Sequence, residues 1–217
     1  MKIGVFDSGV GGLSVANAIQ RALPGDEVIL RDDRKHVPYG QRKPAEIFGF
    51  VVPIFQQLID DGCQVIVVAC NTVTTTLIGD LRKKFSLPLV AVEPMVKPAA
   101  ALTKTGVIAV CATPTTLASP RYAQLKQEYA QGITVLEPDC SQWPAMIEER
   151  RLNLNHKAID QMVTEVLAKG ADVIVLACTH YHWIEVEIQN LSRGKATVLQ
   201  PEQAIVAQLN RVIARLP

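Results

Sequence analysis

Two cysteines hold the chemistry open to this chain. Each closes an apolar strand and is followed at once by side chains that hydrogen-bond: Val65-Ile66-Val67-Val68-Ala69-Cys70-Asn71-Thr72 and Val173-Ile174-Val175-Leu176-Ala177-Cys178-Thr179-His180. The two segments align residue for residue back to Gly62 and Gly170. A weaker echo pairs Ile3-Gly4-Val5-Phe6 with Thr105-Gly106-Val107-Ile108 at nearly the same offset. Similarity at a fixed offset marks a duplicated unit. Two similar halves would each deliver one thiol from a strand end. If the halves face each other, the thiols flank one ligand from opposite sides.

That arrangement suits the removal of a proton from one face of a carbon and its return to the other, which inverts the centre. A thiol serves as the base if its pKa lies near working pH. Each cysteine also precedes a helix, whose N-terminal field favours thiolate. The α-hydrogen of an amino acid is very weakly acidic. Without a carbonyl-type electron sink, carbanion character must be stabilised by dense hydrogen bonding in a dry cleft. The Ser, Thr and Asn residues at the strand ends answer that need. There is no signal for pyridoxal phosphate, and no cofactor is expected.

Other readings weigh less. A disulfide between Cys70 and Cys178 does not suit a reducing cytoplasm. Two thiols and one histidine leave a metal ligand missing, so no metal is expected. Asp7-Ser8-Gly9-Val10-Gly11-Gly12 resembles a phosphate cradle but lacks the GxGxxG spacing and the Walker lysine. Its glycines instead let the backbone approach a small anion at a helix N-terminus, with Asp7 as an acid near the reacting centre. His180, two residues past Cys178, is placed to orient or deprotonate it. His36, His156 and His182 read as surface residues. Cys63 and Cys140 read as buried apolar fillers, and Cys111 as structural.

The elements that must position these groups alternate. Strands are expected at 2–6, 27–31, 64–69, 88–92, 106–111, 134–137, 172–177 and 196–199. Helices are expected at 13–23, 44–60 and 72–85, then from Glu93-Pro94 to about Thr103. A further one runs to Ala130, with Pro120 as a candidate break. The last four are expected at 144–150, 155–168 (capped by Asn155), 183–191 and 201–216. The Thr74-Thr75-Thr76 run is β-branched and argues weakly against its helix. Strands apolar throughout, between helices, predict an α/β fold with mainly parallel sheets covered on both faces. Ligands of such sheets sit at the carboxyl ends of the strands, where Asp7-Ser8, Cys70-Asn71-Thr72, Glu93, Thr113 and Cys178-Thr179-His180 fall. The expected organisation is two similar lobes, residues 1–94 and 95–200, with an interlobe cleft. Residues 201–217 form a closing helix that packs back on the first lobe.

Composition narrows the partners. The chain has 217 residues, is 48% apolar and carries a net charge of +1. It can bury a real core, and it shows no basic block suited to nucleic acid. The apolar runs are strand-sized, so neither a membrane span nor a signal peptide is expected. Five cysteines without a CxxC pair suggest free thiols in a cytoplasmic protein. With 5% aromatic residues, the expected ligand is small and polar.

Taken together, Phe6-Asp7-Ser8-Gly9-Val10-Gly11-Gly12-Leu13-Ser14-Val15, Asp33 with Pro38-Tyr39-Gly40, Ala69-Cys70-Asn71-Thr72, Glu93-Pro94 and Leu176-Ala177-Cys178-Thr179-His180-Tyr181 resemble the cofactor-independent aspartate/glutamate racemase superfamily. Within it they are most similar to the glutamate racemases. The resemblance implies two pseudo-twofold lobes with a glutamate-binding cleft between them. Cys70 and Cys178 become the acid/base pair, with Asp7, His180 and Glu148 assisting. Ser8, Pro38, Tyr39, Gly40, Asn71, Thr72, Thr113 and Thr179 match positions that hold the substrate. The implied role is supply of D-glutamate for peptidoglycan, with a homodimer as one arrangement. The alternatives are a racemase for aspartate or another amino acid, and a non-catalytic ligand-binding relative. Three departures stand out: Val110 where a Thr is common, His182-Trp183 after Tyr181 in place of Pro and an apolar residue, and Leu199-Gln200-Pro201 in place of an Ile-Asp-Ser type motif.

Overall fold

A computed structural model describes residues 1–149 and 156–216. Arg150 and Asn155, the expected end and cap of two helices, lie outside them. The first sheet contains β1 (Lys2–Asp7), β2 (Glu27–Asp32), β3 (Val65–Val68) and β4 (Leu89–Ala91) in the order β2-β1-β3-β4. The second contains β5 (Val107–Cys111), β6 (Thr134–Leu136), β7 (Val173–Leu176) and β8 (Thr197–Leu199) in the order β6-β5-β7-β8. Every strand pair is parallel. The two topologies are the same, as the sequence repeat requires.

Helices cover both faces of each sheet, so the central strands are apolar without alternation. In the first lobe, α2 (Pro44–Asp60) and α3 (Asn71–Lys84) cover one face through Val51, Phe55, Leu58, Leu77 and Leu81. The other face is covered by α1 (Gly12–Ala22) and by α10 (Glu202–Ile213), whose Ile205 and Leu209 pack with Ile3, Val5, Val65 and Val67. In the second lobe, α4 (Val96–Leu102) and α6 (Pro120–Tyr129) pack on Ile108, Val110 and Val175. On its opposite face lie α7 (Trp143–Glu148), α8 (His156–Ala168) and α9 (Glu185–Ser192). A short α5 (Pro114–Leu117) precedes α6.

Local chemistry explains where these elements begin and end. Gly62 and Gly170 take φ of 86° and 89°. At each, paired backbone bonds close the preceding helix: Gly62 N to Ile59 O with Cys63 N to Leu58 O, and Gly170 N to Leu167 O with Ala171 N to Val166 O. This is the Schellman helix stop, for which glycine is favoured because it has no Cβ to clash in the left-handed region. The duplicated segments therefore begin with the same turn. Pro120 starts α6 rather than continuing a helix, and Ser119 Oγ caps it by accepting from Tyr122 N. The Thr74-Thr75-Thr76 run is helical despite its β-branching, with its hydroxyls donating back to Asn71 O and Thr72 O. One expectation fails here: residues 179–184 form a 3-10 turn rather than the start of a helix at Trp183, and α9 begins only at Glu185.

Candidate active site

The carboxyl ends of β1, β3, β5 and β7 converge on one cavity. Cys70, Ser8, Pro38, Tyr39, Gly40, Asn71 and Thr72 line it from the first half, and Thr113, Cys178, Thr179 and His180 from the second. The free space is ≈ 20 Å³, room for about one water. Asp7 and Glu148 are not in its lining and instead back the groups that are. Glu93 departs from expectation: it is exposed, paired with Arg121 and not among the residues that line the cavity. Val110 is buried in the core of β5 and does not face the cavity.

Cys70 is the residue before α3, and its thiol donates to Ser8 Oγ at 3.4 Å. Burial pushes this thiol up to about 12, and the nearby Asp7 adds to the effect; Ser8 and the N–H of Val73 offset part of it. The helix field alone therefore does not make it a thiolate. Cys178 Sγ lies 3.8 Å from His180 Nδ1. His180 Nε2 is 2.7 Å from Glu148 Oε1, which also accepts from Val10 N at 2.7 Å. Burial by itself depresses the His180 pKa, but Cys178, Glu148 and Asp7 outweigh it and raise it to about 10. A charged ring here donates from both nitrogens, one toward Cys178 and one to Glu148. Glu148 responds in the opposite sense. Its partial burial opposes ionisation, yet His180 and Val10 N hold it below the ordinary carboxylate value.

Asp7 is fully buried at the end of β1. Its Oδ2 accepts from Gly9 N at 3.0 Å and Gly12 N at 3.1 Å, and its Oδ1 from Thr179 Oγ1 at 3.0 Å. Burial pushes its carboxyl up, while the charge of His180 and these donors pull it down. The Asp7–Thr179 bond crosses from one lobe to the other. A second crossing joins Thr72 Oγ1 and Thr113 Oγ1 at 3.0 Å, with Thr116 Oγ1 completing the cluster. Asn71 points a buried amide here with neither Nδ2 nor Oδ1 bonded. A buried donor and acceptor left open at a cleft are costly and mark a place for a polar ligand. Tyr39 OH donates to Asp33 Oδ2 at 2.6 Å, which fixes the Pro38–Gly40 wall.

The structure also adds residues that sequence reading missed. Thr116 and Ser141 belong to the cleft region. His182, expected at the surface, is buried and lies 2.9 Å from Ser14 Oγ. His36 is half-buried, stacked on Phe50 and bonded to Asp33. Among the described residues, no group of three or more His, Cys, Asp or Glu side chains is placed to hold a metal. No described helix is long and apolar enough to cross a membrane.

The His180–Glu148 pair predicts a pH dependence. A histidine raised in the folded state stabilises it fully below its unfolded value and loses that contribution as pH rises through the folded one. Thermal stability should therefore fall between about pH 6.5 and pH 10. Glu148→Gln, which removes the carboxylate, should flatten that fall. An unchanged slope in melts across this range would refute the pairing.

Fold and site together define a two-lobed α/β protein whose closed cleft holds one thiol from each half. The sequence profile of the Asp/Glu/Hydantoin racemase family matches residues 3–209, and the chain belongs to that family: it is a racemase, an isomerase. It is 36% identical over 216 residues to the glutamate racemase of Ectopseudomonas mendocina, covering 98% of this chain and 82% of that protein. It is 38% identical over 214 residues to the glutamate racemase of Herpetosiphon aurantiacus, covering 98% and 84%. Among solved structures, the Escherichia coli glutamate racemase, in complex with L-glutamate and the activator UDP-MurNAc-ala, superposes with a TM-score of 0.88 at 30% identity, covering 99% and 82%.

Proposed function

We propose that this racemase interconverts L- and D-glutamate without a cofactor, and that the D-glutamate serves peptidoglycan synthesis in the cytoplasm. The observation that carries the reading is that Cys70 and Cys178, one from each half, line the same small cavity. One sulfur takes the α-hydrogen as thiolate, and the other, as thiol, delivers a hydrogen to the opposite face. The two exchange protonation states with each turnover. The raised Cys70 makes it the sulfur that starts as thiol. The imidazolium N–H of His180 is the group that steadies negative charge on Cys178. Glu148 keeps His180 charged, and Asp7 assists from behind the cavity by holding Thr179 and the Gly9–Gly12 loop.

Ser8, Asn71, Thr72, Thr113 and Thr179 supply hydrogen bonds to carboxylates and ammonium, and Pro38, Tyr39 and Gly40 form a wall. Hydrogen bonds in a water-excluded site are worth more than in water and so support carbanion character. The lobes, residues 1–94 and 95–200 in this reading, must part to admit an amino acid, since the closed cavity holds about one water. The glutamate racemases among the similar proteins favour glutamate as substrate.

The test is purified protein incubated with L-glutamate and, in parallel, L-aspartate and other L-amino acids, with chiral analysis of the products. Formation of D-glutamate in preference to the other D-amino acids supports the reading. Turnover of a different amino acid, with glutamate inert, overturns it.

A further inference from the structure

Behind the cleft, three side chains outside the proposed machinery tie the two lobes together. Ser14 lies in the first turns of α1, His182 in the 179–184 turn, and Glu202 at the start of α10. His182 Nδ1 is 2.9 Å from Ser14 Oγ and 3.6 Å from Glu202 Oε1. Its Nε2 is buried with no partner. Hydrogen on Nε2 would be a buried donor without an acceptor, whereas hydrogen on Nδ1 finds one. The Nδ1–H tautomer follows. Ser14 donates its own hydroxyl hydrogen to Gly11 O at 3.0 Å, so its oxygen is free to accept from His182. In this arrangement His182 donates to Ser14, and Ser14 donates to Gly11.

Gly11 packs tightly against the other lobe. A Cβ there would lie 2.4 Å from Thr179 Oγ1 and 2.6 Å from the Thr179 carbonyl carbon. Thr179 in turn donates to Asp7 at 3.0 Å. The path from His182 through Ser14 and Gly11 returns to the turn that carries Thr179 and His180. It forms a closed ring across the lobe boundary.

We propose that His182, braced by Ser14 and Glu202, is a positioning residue that holds the 179–184 turn against the glycine loop. It keeps Thr179 on Asp7 and His180 on Cys178. The inference rests on the roles assigned above to Asp7, His180 and Cys178. It makes His182 a working part of this chain rather than a passive core residue.

The experiment compares His182→Asn, His182→Gln and His182→Leu in the full chain. An Asn amide places its N–H near the position of Nδ1, and a Gln amide near that of Nε2. Asn should keep near-wild-type kcat, whereas Gln and Leu should lower it about tenfold or more, the scale of a small misplacement at a reacting centre. A second readout needs no substrate: alkylation of Cys178 by iodoacetamide, followed by peptide mapping. It should accelerate several-fold in Gln and Leu and not in Asn. Ser14→Ala should reproduce the Leu variant, and the double variant should add little. The proposal is overturned if Gln matches or exceeds Asn, if all three variants keep wild-type behaviour, or if all three fall together with Tm. Should the wild type make no D-glutamate, the functional reading fails, while the alkylation series still decides the strut.

Discussion

Cys70→Ala and Cys178→Ala should each lose racemisation by about 10³-fold or more, since a positioned acid or base contributes 10²–10⁴-fold and each variant lacks one on one face. The variants should differ in what they keep. Incubated in deuterium oxide, each retains a base for only one enantiomer. The α-hydrogen of that enantiomer should wash out, while that of its mirror image stays. The enantiomer that exchanges should switch between the two variants. Proton spectra of L- and D-glutamate incubated separately would show this directly. Turnover near wild type in either variant, or the same enantiomer exchanging in both, would contradict a shared two-thiol site.

Gly11→Ala should be almost as damaging, although it adds one methyl group outside the cavity. The new Cβ would meet the backbone carbon of Thr179 at 2.6 Å. Backbone cannot swing aside as a flexible side chain can, so the lobes must separate. That stretches the 3.0 Å Asp7–Thr179 bond and shifts His180 relative to Cys178. Overpacking of this kind costs about 1–3 kcal/mol. A displaced catalytic turn should lower kcat on the order of 10²-fold. Gly49→Ala and Gly79→Ala are the controls. Both glycines are helical with nothing within 4 Å of a built Cβ, so Ala should stabilise by up to about 1 kcal/mol through helix propensity. Calorimetry and steady-state kinetics on the three variants would check the contrast. Equal behaviour at Gly11 and Gly79 would refute it.

Much of this architecture was legible because local signals and tertiary structure agree. Val65–Ala69 and Val173–Ala177 are apolar on both faces, which only a covered parallel sheet satisfies. The polar residues that follow them, Cys70-Asn71-Thr72 and Cys178-Thr179-His180, line one cavity at the strands' carboxyl ends. What escaped depends on groups far apart in sequence. His182 reads as a surface histidine because its burial is created by Ser14 and Glu202. Glu93 sits at the end of the edge strand β4 yet pairs with Arg121, outside the cavity lining. The expectation of a thiolate at Cys70 considered the helix field and omitted the larger desolvation of a fully enclosed sulfur. Trp183 lies within a 3-10 turn instead of opening a helix.

The two thiols have unequal neighbours: a serine hydroxyl beside Cys70, and a histidine backed by a carboxylate beside Cys178. Mirror-image amino acids have identical free energies, so the Haldane relation forces kcat/KM to be equal in the two directions, however lopsided the catalyst. The inequality of the neighbours can therefore surface only as a matched pair of differences: the direction with the larger kcat must also have the larger KM.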